Sequence, residues 1–202
     1  MITQSACFTG PRASKMPYDE TSASHERLEK ILKQQILSLI RNGVSEFYTG
    51  GQTGIDTLAA LLVINLIDEI GTTAHLHLVL PFKDMENGFT RLQRDDFDWV
   101  KRHADTVTYI SETYTPDCYR ARNQYMIDNS QYLIAVAGKQ APHSGTHMTI
   151  NMARKKGIDI VTINPMTFDV RMSGMRSDYM TIMILSKNNV VVYKNVLHVF
   201  KV

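Results

Sequence analysis

Three glycine-bearing turns in this 202-residue chain combine residue types that suit anion binding. They are Thr9-Gly10-Pro11-Arg12, Gly50-Gly51-Gln52-Thr53-Gly54-Ile55-Asp56 and Ser144-Gly145-Thr146. The second and third run directly into helical patterns. Glycine lets the backbone turn tightly and lets a ligand approach the main chain, while the first turn of a helix offers unpaired N–H groups. A phosphate-bearing ligand is the natural occupant. Arg122 adds the matching charge: it stands in the first turns of a helical segment, where the dipole disfavours a cation unless an anion offsets it. Two expectations follow from the sequence. Gly51→Asp should lower binding severely while the fold largely survives. Arg122→Ala should weaken binding but leave the ligand-free protein nearly as stable, its charge being partly offset by Asp117 or Asp128.

The elements that must position these residues alternate along the chain. Strands are predicted over 2–9, 45–49, 74–80, 106–110, 132–137 and 158–163. Between them fall a helix carrying the stripe Leu28, Ile31, Leu32, Ile36, Leu39 and Ile40 and closed by Gly43, then helices over 54–70, 90–103, 119–129 and 146–156. Such alternation implies right-handed βαβ units: an α/β, Rossmann-like parallel sheet with helices on both faces. Ligands of these sheets bind beyond the carboxyl ends of the strands. The glycine turns, Pro81-Phe82 and the 138–146 loop all fall at that edge. The reading divides the chain into a nucleotide-binding domain over 1–165 and a C-terminal extension over 166–202. Residues 166–178 show no period. Residues 179–185, 190–193 and 196–202 read as antiparallel strands, with Lys187-Asn188-Asn189 and Lys194-Asn195 as turns. An apolar edge there leaves room for a homo-oligomer contact.

Composition narrows the classes. The chain is 44% hydrophobic and 21% charged, ordinary for a globular protein. Its apolar runs are too short for a membrane span, and the N-terminus lacks the pattern of a signal peptide, so a cytoplasmic protein without membrane attachment is expected. Residues 1–101 carry ten Lys/Arg against thirteen Asp/Glu and residues 102–202 twelve against seven, so the surplus of positive charge lies in the second half. The net charge of +2 falls short of a nucleic-acid-binding stripe. Arg154-Lys155-Lys156 before Gly157 reads as a helix C-terminus. Cys7 and Cys118 form no disulfide framework. His143 and His147 have helical ligand spacing but no third ligand, so no metal is expected. His75 and His77 share a strand face, and Trp99 reads as core or a satellite cluster.

The ordered motifs Ala6-Cys7-Phe8-Thr9-Gly10-Pro11-Arg12, Gly50-Gly51-Gln52-Thr53-Gly54-Ile55-Asp56-Thr57-Leu58-Ala59-Ala60, Leu80-Pro81-Phe82, Tyr119-Arg120-Ala121-Arg122-Asn123-Gln124-Tyr125 and Ser144-Gly145-Thr146 resemble the YpsA-like branch of the SLOG superfamily. Its members are Rossmann-like and include DprA and the lonely-guy phosphoribohydrolases. The resemblance spans about 2–165. It implies a pocket for a nucleotide or nucleotide-derived ligand, with no further cofactor. Gly10 and Arg12 would face the ligand. Gly50, Gly51, Gln52, Thr53 and Gly54 would cradle phosphate, with Asp56 near a sugar or ordering the turn. Arg122 and Asn123 match the position of an active-site arginine, and Ser144, Gly145 and Thr146 a second phosphate turn. Pro81 and Phe82 complete the edge.

Departures from the pattern weigh on the chemistry. Where the phosphoribohydrolases follow their Gly-Thr with acidic residues, this chain has His147-Met148-Thr149, and Ala141-Pro142-His143 replaces their Pro-Gly-Gly. Asp56 and Asp128 are the carboxylates left to substitute. The leading expectation is a sensor or sequestering protein for a signalling nucleotide or an NAD-related metabolite. A hydrolase acting on the N-glycosidic or phosphoester bond of such a ligand is the alternative. Single-stranded DNA binding is the third class, disfavoured by charge.

Overall fold

The computed structural model describes residues 4–138 and 144–174, with the backbone of 181–185 and 191–195. The helices carry local start and stop signals. In α1 (Ala23–Arg41), the Ser22 side chain accepts the His25 N–H at 3.2 Å, and the Leu28, Ile31, Leu32, Ile36 and Leu39 stripe is buried. Gly54 opens α2 (Ile55–Ile70). Thr90 and Gln93 close a capping box at the start of α3 (Arg91–His103). Then come α4 (Cys118–Asp128) and α5 (Gly145–Lys156), the latter capped by Ser144. The interleaved strands are β1 (Gln4–Thr9), β2 (Val44–Thr49), β3 (His75–Leu80), β4 (Thr106–Tyr109), β5 (Tyr132–Val136) and β6 (Asp159–Ile163).

These six strands are parallel in the order β4-β3-β2-β1-β5-β6. The chain works outward from β1 to β4, returns to the other side of β1 and continues outward. The order therefore reverses between β1 and β5, and right-handed crossovers put the helices of the two halves on opposite faces. One core joins α1, α2 and α3 to Phe8, Phe47, Leu76, Leu78 and Leu80. The other joins α4 and α5 to Cys7, Leu133, Ala135 and Ile160. The Rossmann-like α/β expectation is met, and the ends of β2 to β6 and of α2 to α5 lie within one residue of their predicted positions.

Three differences are informative. A seventh strand, β7 (Val170–Ser173), pairs antiparallel with β6, so the sheet continues past the boundary placed at 165. Its sequence Val-Arg-Met-Ser is too short and mixed to register as a period. Strands β8 (Thr181–Leu185) and β9 (Val191–Asn195) pair antiparallel, with Lys194 and Asn195 inside β9 opposite Ile182 and Thr181 rather than in a turn. The predicted strand over 196–202 and the turn at 187–189 lie outside the described residues. Trp99 is 46% exposed, stacked on the His103 ring at 4.1 Å rather than buried. His75 and His77 do share a face: His75 bonds Asp105 at 2.9 Å, and His77 bonds Glu46 at 2.6 Å and Thr106 at 2.8 Å. Among the described residues, no helix is long and apolar enough to cross a membrane.

The basic end of α5 does structural work. Lys156 donates to the carbonyls of Ile127, Asp128 and Ser130 at 2.6, 2.6 and 3.2 Å, capping the C-terminus of α4 with a positive charge. Lys156→Met should lower stability by about 1 kcal/mol and the melting temperature by about 2–4 °C. A thermal melt indistinguishable from wild type would show that water replaces the ammonium without loss.

Candidate functional site

Where the strand order reverses, β1 and β5 send their carboxyl ends apart and leave a crevice between them. Thr9 leads into Gly10-Pro11-Arg12 on one side, and Val136 into Ala137-Gly138 on the other. The crevice holds a cavity of about 540 Å³, within the range of small-ligand sites. Of the expected residues, Gly10, Arg12, Gln52, Thr53, Asp56, Arg122, Asn123, Ser144, Gly145 and Thr146 line it. Gly50, Gly51, Gly54, Pro81 and Phe82 do not.

The centre of the wall is a buried ion pair. Arg122, on α4, and Asp56, in the first turn of α2, meet at 3.2 Å, their side chains 6% and 9% exposed. Asp56 Oδ2 also accepts the Gln52 N–H at 3.4 Å, and Thr49 Oγ1 donates to the Asp56 carbonyl at 2.8 Å. Burial raises the Asp56 carboxyl above its ordinary pKa, outweighing the Arg122 charge and the Gln52 amide, which lower it. The Nε of Arg122 is buried with no hydrogen-bond partner among the described residues. The expected offsets are engaged elsewhere: Asp117 faces Arg120 at 3.6 Å, and Asp128 accepts from Gln124 at 2.8 Å. The charge of Arg122 is balanced by Asp56 across the cavity wall, so its removal cannot leave stability unchanged.

The glycines serve the protein before any ligand. A Cβ on Gly50 would collide with the Arg122 guanidinium, and one on Gly10 would lie 2.5 Å from Ile55. A Cβ on Gly51 would come within 2.7 Å of Leu80 and 2.9 Å of Leu78, in the core. Gly51→Asp therefore disrupts packing, contrary to the expectation that the fold survives it. Three amides of the second turn are engaged internally. Gln52 N–H donates to Asp56, Thr53 N–H to Gln52 Oε1 at 3.1 Å, and Ile55 N–H to the Pro11 carbonyl at 3.2 Å.

The opposite wall is the start of α5. Ser144 Oγ accepts the His147 N–H at 3.3 Å and lies 3.0 Å from His147 Nδ1. Thr149 Oγ1 donates to the Gly145 carbonyl at 2.9 Å and accepts from Asn123 Nδ2 at 2.8 Å, tying α5 to α4 beneath the cavity. No acidic residue stands in the first turn of α5. Lining residues that sequence reasoning missed include Lys15, Tyr119, Met126, His147, Met148 and Met166. The helical spacing of Tyr119, Arg122, Asn123 and Met126 was a usable signal for two of them, because such residues share one face. The wall has a cationic part (Arg12, Lys15 and Arg122) and an apolar part (Phe8, Met126, Val136, Met148 and Met166). His143 lies outside the described residues, and among those described no group of three His, Cys, Asp or Glu is placed to hold a metal. Cys7 and Cys118 are free and buried, and burial pushes the Cys7 thiol up to about 12, so it is inert.

Comparison with known proteins identifies the family. The family model described as the YspA SLOG family matches residues 6–170. Similar proteins include a UPF0398 protein of Bacillus thuringiensis strain Al Hakam and another of Bacillus cereus strain AH187. Each is 26% identical over 134 residues, which is 65% of this chain and 72% of the relative.

Proposed function

Since the chain belongs to the YspA SLOG family, we propose that it binds a nucleotide or nucleotide-derived ligand at the β1/β5 crevice, as a sensor or sequestering protein. The observation that carries this reading is Arg122. A guanidinium set in the cavity wall that meets Asp56 through Nη1 has further N–H donors to offer an anion. The start of α5, Arg12 and Lys15 add positive potential around the same volume. The apolar part of the wall suits a base or sugar face.

A mass spectrum of the protein as purified, followed by calorimetry with nucleoside mono- and diphosphates, tests the reading. One nucleotide bound per chain is expected. An absence of binding to every nucleotide tested, by correctly folded protein, would defeat it.

One observation favours hydrolysis as the second reading: a carboxylate in the cavity wall whose burial favours its protonated form, as a general acid requires. Against it, Asp56 Oδ2 is already shared by Arg122 and the Gln52 amide. We expect no base to be released when nucleoside monophosphates are incubated with the protein and separated by chromatography. Release that disappears in Asp56→Asn would establish the enzyme reading instead.

A further inference from the structure

We propose that the ring of Tyr119 is the stacking platform for the base of the bound nucleotide, and that the base takes the position over that ring which the Arg12 guanidinium occupies. The inference rests on the nucleotide reading of the cavity and names the part of the ligand that a second side chain recognises.

Tyr119 lies in the first turn of α4, half-buried, and lines the cavity. The Phe82 ring meets it edge-on, with centroids 6.0 Å apart and planes at 89°. Phe82 is held in turn by Tyr114 at 5.6 Å and 83°. Phe82, itself braced by Tyr114, thus fixes the plane of Tyr119, which explains how Phe82 serves the site without lining it. The Arg12 guanidinium carbon sits 5.3 Å from the Tyr119 centroid, over the ring. A guanidinium is flat and delocalised, so the space above Tyr119 already accommodates a planar group.

The order along α4 supplies the rest. Arg122 follows Tyr119 by one turn on the same face, about 5–6 Å away between Cβ atoms. One sugar spans that separation, so a single nucleotide reaches both, its phosphate toward Arg122 and its base toward Tyr119. Arg12 is exposed and its contact with the ring is weak, so a base, which stacks more strongly, displaces it. The released guanidinium remains within the cavity wall, beside the phosphate. Stacking reads a flat face rather than hydrogen-bond donors, so the preference is for any nucleotide over a bare sugar phosphate, with purines ahead of pyrimidines.

Calorimetry with adenosine monophosphate and ribose 5-phosphate on wild type, Tyr119→Ala and Tyr119→Phe tests this. Wild type should bind the nucleotide at least about 10-fold tighter than the sugar phosphate. Tyr119→Ala should erase that preference while still binding ribose 5-phosphate as wild type does, which also shows that the variant is folded. Tyr119→Phe should retain it. Equal affinity of wild type for both probes, or an alanine variant that keeps the preference or weakens both probes alike, overturns the platform while leaving the anion site standing. Wild type that binds neither probe overturns the platform, and the nucleotide reading falls with it where the other nucleotides also fail to bind.

Discussion

Arg122→Ala should lower the stability of the ligand-free protein by about 3–5 kcal/mol at neutral pH, because it strands a carboxylate that burial already disfavours. For a chain of this size that is a fall of roughly 10 °C in melting temperature. The pH dependence gives the loss its signature. The folded-state pKa of Asp56 is raised, so the stability associated with its protonation is fully present below the ordinary carboxyl pKa and is lost as pH rises through the folded value. Removing the guanidinium raises the folded value further and widens that window. The defect should therefore shrink as pH falls toward about 4, and Asp56→Asn in the Arg122→Ala background should recover much of it at neutral pH. Nucleotide affinity should fall by about 2–4 kcal/mol even where the variant is folded, and Arg122→Lys should recover only part, lacking the planar fork. Parallel denaturation curves at pH 4 and pH 7 with the same deficit would rule out Asp56 as the stranded group.

Gly54→Ala should be at least as damaging, although it adds a single carbon. Gly54 has φ of +91° and ψ of −125°, a conformation that essentially belongs to glycine. Its Cβ would lie 2.5 Å from the Ala13 nitrogen, 2.6 Å from the Pro11 oxygen and 2.7 Å from the Arg12 carbonyl carbon. All three are backbone atoms, so no side chain can swing aside. Strain and overpacking together should cost about 3–6 kcal/mol, and the displaced first loop should carry Arg12 away from the cavity. Gly88→Ala is the internal control, since nothing lies within 4 Å of its Cβ position. Urea denaturation of both variants decides it: midpoints that coincide would mean that the loops separate freely.

What the sequence disclosed follows from how local each signal is. The helical stripe from Leu28 to Leu39 and the strand at Tyr132–Val136 are written in neighbouring residues, and alternation alone implied the sheet, its helical faces and the edge where the cavity lies. Pairings between distant residues were not legible. Nothing near Arg122 announces Asp56, whereas Asp117 and Asp128 lie in its own segment and read as the offsets to its charge. The glycines misled for a related reason. A missing Cβ marks a close approach, but the sequence does not say by what; at Gly50 it is a guanidinium, at Gly51 the core and at Gly54 a second loop. Trp99 was misplaced because a lone aromatic does not report which side of its helix meets the sheet.

The bond from the Ile55 amide to the Pro11 carbonyl also has a bearing on the order of folding. Helices usually take their first acceptor from a residue just upstream, so their ends form with the local chain. Here the acceptor belongs to the loop after β1, and it comes within reach only once β1 and β2 have paired. Thr57 and Leu58 donate locally to the Gln52 and Gly54 carbonyls, whereas the Ile55 amide is satisfied by tertiary docking. Because that same loop carries Arg12, the hydrogen-exchange rate of one amide, Ile55, reports whether the binding crevice is assembled.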